Sequence, residues 1–382
     1  MNVKNTRKPQ PRVEVKDYTK LGIQAYGADN LYPQHIMSIV AASGTATLCL
    51  NRYHKFVEGF GFRDVALSEM IVARDYTLDD LLHQVSRDLC MFNGFAIHAD
   101  YDALGRIASL HHVPFEMCRK GETDEHGYVS DICVHIDWSG KMYRRGKQVK
   151  VTKESIKHYP VFNPNPDIVQ AQIEDAGGVD TYTGQILYVS VDKEVYPTPI
   201  YDAAITEIST DEGLGNIKYR NVRNNFLVSA LMVVKKGAPI VDERGNEEEQ
   251  GGIRTEDMEQ FQGDTRAGQL MLVEVEDMED APKIDKFPSH NFDKEFTATD
   301  ASTVERIYAQ FHQEAFYALR TGRTGFSTEN ERSAYESYAG EVTYEQRFLE
   351  RTFNKIFNYW HAGGSYDFTI QPMKYITING TE

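Results

Sequence analysis

The sequence has little of what most enzymes, secreted proteins and membrane proteins carry. Its cysteines number four, Cys49, Cys90, Cys118 and Cys133, and no two are spaced as C-x-x-C. A disulfide framework or a paired-cysteine metal site is therefore not expected, and the four read as reduced core thiols. With no secretory leader recognised, a reducing cytoplasm is the expected setting. The longest apolar run, Phe226 to Val234, is nine residues and includes Ser229, against the roughly 20 needed to cross a bilayer. No G-x-x-x-x-G-K-[ST] loop is present to cradle phosphates, and no G-x-S-x-G turn to present a nucleophile. Gly213-Leu214-Gly215 lacks the third glycine of a dinucleotide fingerprint and follows no predicted strand. His111-His112 falls on a predicted strand, where neighbours face opposite ways, so the pair is not expected to share a metal. Basic excess is missing as well: 41 Lys and Arg stand against 57 Asp and Glu, a formal charge of −16. That excludes a surface which grips phosphate backbones all over, though not a protein that surrounds DNA without holding it.

What is present is structural punctuation. Residues 1–25 form a basic arm with Pro9 and Pro11, expected to be flexible. Next comes Tyr26 to Phe62. Asp29-Asn30 is expected to cap a helix with Pro33 in its first turn and Ile36, Ile39 and Val40 on one face. A second helical run carries Leu48, Leu50, Tyr53, Phe56 and Val57. It ends in a glycine-aromatic exit, Gly59-Phe60-Gly61-Phe62, expected to pack within its own domain or against another subunit. Thr77 caps a third helix whose buried face is Leu78, Leu81, Leu82, Val85 and Leu89. From Asn93-Gly94 the pattern alternates with period two. It predicts a meander of short strands over 95–101, 106–114, 128–137, 141–144, 148–151 and 158–162, a long loop over 163–184, and a strand over 185–191.

Tyr196-Pro197-Thr198-Pro199 opens the next change. A helix of about 27 residues from Ile200 would run ~40 Å, then a strand over 227–234. Residues 242–280 hold fourteen Asp and Glu against Arg244, Arg254 and Arg266. A short helix over 255–266 and a strand over 269–275 are expected there. Glu247, Glu248, Glu249, Glu256, Asp257, Glu259 and Glu274 supply carboxylates in number, but with no supporting lysine or histidine at a recognisable spacing for two-metal chemistry. Helices over 300–319 and 328–360 and a strand over 366–378 close the chain. Tyr219, Arg220, Arg223 and Phe226 form an aromatic-basic stretch that could stack on nucleic acid but reads better as the end of a packed helix whose arginines pair with acids on another element or a neighbouring subunit, a candidate subunit interface.

Five features recur in one order: Asp29-Asn30-Leu31-Tyr32-Pro33; Asn93-Gly94-Phe95 with the Asp102–Gly105 turn and Leu110-x-x-Val113-Pro114; Tyr196-Pro197-Thr198-Pro199 with Ser229 to Val234; Asn291 to Phe316; and Thr328 to Trp360. In that order they resemble the portal proteins of tailed bacteriophages, over roughly residues 26–360. The resemblance implies an α+β fold: an α/β wing over 26–195, a stem and clip with the acidic segment over 196–298, and a channel helix, C-terminal helical region and terminal strand over 299–382. The short C-terminal part departs from family members with a large crown. The resemblance further implies a structural ring, usually of twelve subunits, at one capsid vertex, with no enzymatic activity and no cofactor. Its partners would be itself, double-stranded DNA in the channel, the terminase large subunit, the major capsid protein and a head–tail adaptor, with no membrane. Its place would be the virion, reached from the host cytoplasm. Lys235, Lys236, Arg320 and Arg323 are the expected channel contacts. Another head–tail connector or minor head protein, and a metal-dependent nuclease using the acidic segment, are the competing readings.

Overall fold

The computed structural model describes residues 15–192, 195–223, 230–235, 238–241, 247–250, 270–275, 292–325 and 327–376. The fold is α+β, with helices interleaved among small, mostly antiparallel sheets. Contacts divide the chain into two units, Met1–Ser209 together with Val304–Glu382, and Thr210–Thr303. The first is therefore discontinuous in sequence.

The first unit begins with a hairpin, β1 (Val15–Tyr18) against β2 (Ile23–Tyr26), in residues expected to belong to the flexible arm. Helices α1 (Tyr32–Ala42) and α2 (Gly44–Glu58) follow, and a short α3 (Val65–Ser68). Pro33 sits in the first turn of α1, as expected, but neither Asp29 nor Asn30 caps it; the N-cap is Leu31, without a side-chain bond. Asn30 is instead in the left-handed region, φ 63°, which Asn tolerates better than most residues. Its side chain then faces inward. Ser43 separates α1 from α2, and its hydroxyl accepts from the Ala46 N–H (3.0 Å). Gly59 ends α2 at φ 64°.

The β3–β4 hairpin (Ile71–Ala73, Tyr76–Thr77) leads into α4 (Leu78–Phe92). Thr77 and Asp80 form a reciprocal capping box, and all five expected apolar residues of α4 are buried. Asn93 stops the helix in the left-handed region, and β5 (Gly94–Tyr101) begins.

The expected meander resolves into two sheets. β5 lies at the centre of one, flanked by β6 (Ile107–Val113) and β12 (Gln185–Ser190). In the other, β8 (Asp131–Val134) lies between β7 (Cys118–Lys120) and β11 (Lys157–Pro160). Pro114, which has no N–H to continue a ladder, separates β6 from β7. The next N–H, of Phe115, is taken by the Asp88 carboxylate (3.1 Å). β9 (Tyr143–Arg144) and β10 (Lys147–Gln148) form a small hairpin between β8 and β11. The expected loop over 163–184 contains a helix, α5 (Pro166–Asp175). Asn165 caps it and Pro166 occupies its start, where a missing N–H costs nothing.

Helix α6 (Ile205–Arg223) starts later than expected, after a 3-10 turn at Asp202–Ala204. Among the described residues, the second unit holds two pairs of strands. β13 (Ala230–Lys235) runs parallel to β16 (Leu270–Val275), and β14 (Ala238–Val241) is antiparallel to β15 (Glu247–Gln250). The expected helix over 255–266 lies outside the described residues.

Helix α7 (Phe292–Gln310) and α8 (Glu314–Arg320) replace the single helix expected over 300–319. No glycine or proline marks the break. His312 takes φ 55°, and the Gln313 N–H returns to the Tyr308 carbonyl (2.9 Å), closing α7 with a left-handed cap. Val342 likewise separates α9 (Thr328–Glu341) from α10 (Thr343–Phe357). Of the terminal strand expected over 366–378, the described residues show one antiparallel bridge, Phe62 with Ile370.

That bridge defines the destination of the glycine-aromatic exit. Phe60 N–H donates to the Gln371 carbonyl (2.9 Å), and Gln371 N–H to the Gly61 carbonyl (2.9 Å). Phe62 meets Phe353 and Phe368 edge-on at 5.5 and 5.7 Å. A Cβ on Gly59 would stand 2.1 Å from the Gln371 carbonyl oxygen, so only glycine fits.

Candidate functional site

The segment that introduces α6 is tied to the first unit by a cluster of tyrosines. β2, IQAY, is buried along its whole length, which turns Tyr26 into the core. Gly27, at φ 85°, lets the chain pass so close that a Cβ would stand 2.8 Å from that of Tyr32. Tyr26 consequently stacks on Tyr32 at 5.2 Å and on Tyr196 at 4.1 Å. Its hydroxyl donates to the Pro197 carbonyl, and that of Tyr32 to the Asp202 carboxylate. The Tyr196 hydroxyl donates to the Gln24 carbonyl (2.6 Å) and accepts from the Lys120 N–H (2.9 Å). Tyr201 donates to the Met91 carbonyl (2.6 Å) and stacks on Phe311. Burial drives the Tyr26 and Tyr196 phenols far above their ordinary value, offset in part by the cationic Arg119. For Tyr32, the Asp202 hydrogen bond adds to the effect of burial.

Arg119 is the residue sequence reasoning missed. It is completely buried, yet its hydrogen-bond acceptors among the described residues are all neutral. Nε donates to Asn30 Oδ1 (2.6 Å). One terminal nitrogen donates to the carbonyls of Cys118 (2.7 Å) and Glu116 (3.0 Å), the other to the Asn30 carbonyl (2.6 Å) and Gln34 Oε1 (3.4 Å). All five guanidinium donors are thereby used. The Tyr26 and Trp138 rings cover the cation at 5.6 and 5.1 Å. Burial lowers its proton affinity below the usual arginine range. The left-handed Asn30, which also accepts from the Tyr26 N–H (3.0 Å), is what makes the nest. The sequence held one faint signal, an Asn in a Gly-Ala-Asp-Asn turn, and none pointing to Arg119.

Among the sequence-predicted residues, Arg320 and Arg323 are exposed and held by their own unit. Arg320 donates to the Tyr308 hydroxyl (3.0 Å). Arg323 grips both oxygens of Glu305 (2.7 and 3.4 Å) and lies over the Tyr317 ring at 5.1 Å. Its guanidinium holds the Glu305 carboxyl below the usual carboxylate range. Lys235 ends β13, paired in register with Val275. Tyr219 is exposed on α6, as is Ile217 two residues before it. Arg220 and Arg223 lie on the same helix. Lys236 and Phe226 lie outside the described residues, so the proposed interface and channel sets are not brought together here.

The paired histidines diverge as their strand position requires. His112 bonds Asp88 (2.7 Å), while His111 approaches Asp100 (3.4 Å). Of the carboxylates weighed for metal chemistry, Glu247–Glu249 stand on β15 and Glu274 on β16, in different sheets. Glu256, Asp257 and Glu259 lie outside the described residues. All four cysteines are free and buried. Among the described residues, no helix is long and apolar enough to cross a membrane.

No protein-family profile matches this sequence, and no curated protein matches it. Similar solved structures exist. A chain of the virion of a native gene transfer agent (GTA) particle aligns at 14% identity and TM-score 0.41, covering 79% of this chain and 74% of that one. A chain of the neck of the native particle, computed with C12 symmetry, aligns at 14% identity and TM-score 0.40, covering 80% and 75%. A chain of the neck of the empty particle, computed with C6 symmetry, aligns at 12% identity and TM-score 0.45, covering 91% and 85%. These are distant likenesses.

Proposed function

We propose that the chain is a portal-type structural protein of a tailed-phage-like particle. Subunits form a ring at the capsid vertex through which double-stranded DNA is packaged and ejected. The terminase large subunit, the major capsid protein and a head–tail adaptor dock on it. The protein itself performs no catalysis.

One observation carries this reading: the anchored entry into α6. The chain builds an α/β body and fastens Tyr196, Pro197 and Tyr201 to it. It then runs as a 19-residue helix into a separate unit, and a second 19-residue helix precedes the C-terminal helices. Wing, stem, clip and channel helix follow one another in this order in the family it resembles. Salt links accompany both helices: Arg306 with Glu207 (3.5 Å) in the first unit, Lys218 with Asp300 (2.7 Å) in the second. A charge of −16 per subunit suits a conduit, because an acidic wall repels phosphates and lets DNA slide. A ring is built from heterologous contacts, which need two different complementary faces on each subunit.

The test is the assembly state. Negative-stain class averages viewed down the symmetry axis, with light scattering in parallel, should show a closed ring. A protein that stays at its monomer mass of 43.5 kDa across protein concentration, salt and added scaffolding conditions would refute the reading.

A further inference from the structure

Cys133 does not lie among apolar neighbours alone. It directly opposes His158 in the β8–β11 ladder, and Asp131 is two residues away on the same face of β8. Its Sγ is 3.4 Å from His158 Nδ1 and 3.7 Å from Asp131 Oδ2, and His158 Nδ1 also bonds that same Oδ2. We propose that Asp131, Cys133 and His158 form a binding site for a soft divalent cation of the zinc type.

The geometry separates this from a nucleophile relay. A Cys–His–Asp relay is serial: one ring nitrogen serves the thiol and the other the carboxylate. Here thiol and carboxylate both converge on Nδ1, so the three donors surround one point. Two ligands bound at 2.0–2.3 Å with tetrahedral angles stand roughly 3.3–3.8 Å apart. Both sulfur distances already lie in that window, and only the His158–Asp131 contact has to open. Thiolate and carboxylate together neutralise a dication, and each ion bound releases the thiol proton to solvent. The buried sulfur fixes the site, while the His158 and Asp131 side chains are 40% and 26% exposed and leave an entry path. The fourth position is open to water, as in sites that keep an exchangeable ligand. Bound metal would staple β11 to β8.

A second trio, His54, Glu58 and His83, also brings its donors together. It suits a cation less well, because His54 Nε2 is already engaged by the His83 carbonyl (3.1 Å) and Ser86 Oγ (3.0 Å).

Chelator-treated full-length protein, held reduced by a phosphine, is titrated with Co²⁺. The expected result is one ion per chain, with thiolate-to-cobalt charge-transfer absorption in the near ultraviolet, visible bands of a tetrahedral ion, and bleaching by Zn²⁺. Cys133→Ser should abolish the charge-transfer band. His158→Ala, an exposed change that spares the core, should weaken binding at least tenfold, the lower end of what even outer-shell changes cost. No charge-transfer band, or one that survives Cys133→Ser, overturns the proposal. Cobalt bands without thiolate absorption would put the ion on the His54 trio and overturn it equally.

Discussion

Tyr26 and Tyr196 stack face to face, ring centroids 4.1 Å apart and planes 9° from parallel. One ends the first hairpin; the other opens the path into α6. Their contact anchors the segment that leads into that helix, so its loss should be felt both as stability and as disorder at the helix entry.

Replacing Tyr196 by Phe keeps the stack but removes the acceptor of the Lys120 N–H and the donor to the Gln24 carbonyl. The expected cost is about 1–3 kcal/mol. Tyr196→Ala loses the ring as well and should cost about 3–5 kcal/mol. Urea unfolding midpoints at unchanged m-value measure both. Equal costs for the two variants would show that the stack contributes nothing.

Arg119→Lys retains the charge but offers three donors where five acceptors wait, from a stem that cannot lie flat between Tyr26 and Trp138. It should destabilise by at least about 2 kcal/mol, through carbonyls left without partners. A neutral result in the same denaturation assay would mean that water fills the nest as well as the guanidinium does.

Gly59→Ala forces a side chain into φ 64° and against the Gln371 carbonyl. A loss of about 1–3 kcal/mol is expected. Proteolysis of the native protein should then cut first after Gly363, as the terminal segment lifts. Unchanged cleavage would place the strain elsewhere.

The alkaline limb of stability is set by tyrosine. Burial is the leading cause of the raised phenols of Tyr26, Tyr53, Tyr101, Tyr188, Tyr201 and Tyr338. Tyr182 is pushed only to about 12. Between pH 10, where unfolded tyrosine titrates, and those higher values, the folded state holds more protons than the unfolded one. This stabilisation is complete below pH 10 and is lost as pH rises through the folded values. Phenolate absorbance of the buried tyrosines should therefore appear cooperatively, together with the loss of circular dichroism. Full ionisation of all 22 tyrosines before any loss of circular dichroism would contradict this.

Local signals carried the sequence reading where they acted locally. The Thr77–Asp80 cap and the five-residue apolar face of α4 lie within one helix, and both formed. Pro33 found its first-turn place for the same reason. Failures arose where a distant group decided the outcome. Asn30 was expected to cap α1, but a buried guanidinium on β7 recruits it. His312 breaks α7 from α8 because Gln313, with no exposure at all, is claimed by Cys49, Arg52 and Tyr338. Asn165-Pro166 is a legible helix start, obscured by the polar run around it. The convergence of Cys133 with His158 depends on strand register, which spacing along the chain does not encode.

The closure of Gln371 on Gly61 also bears on biosynthesis. Phe56 and Phe62 leave the ribosome well before Phe353 and Phe368, which cover Phe62, and before Phe316, Tyr335 and Tyr338, which pack on Phe56. Vectorial synthesis therefore yields a nascent chain in which Phe56 and Phe62 wait uncovered until these later aromatic residues have been made. Holdase chaperones have their binding window then, and it closes when Gln371 returns to Gly61.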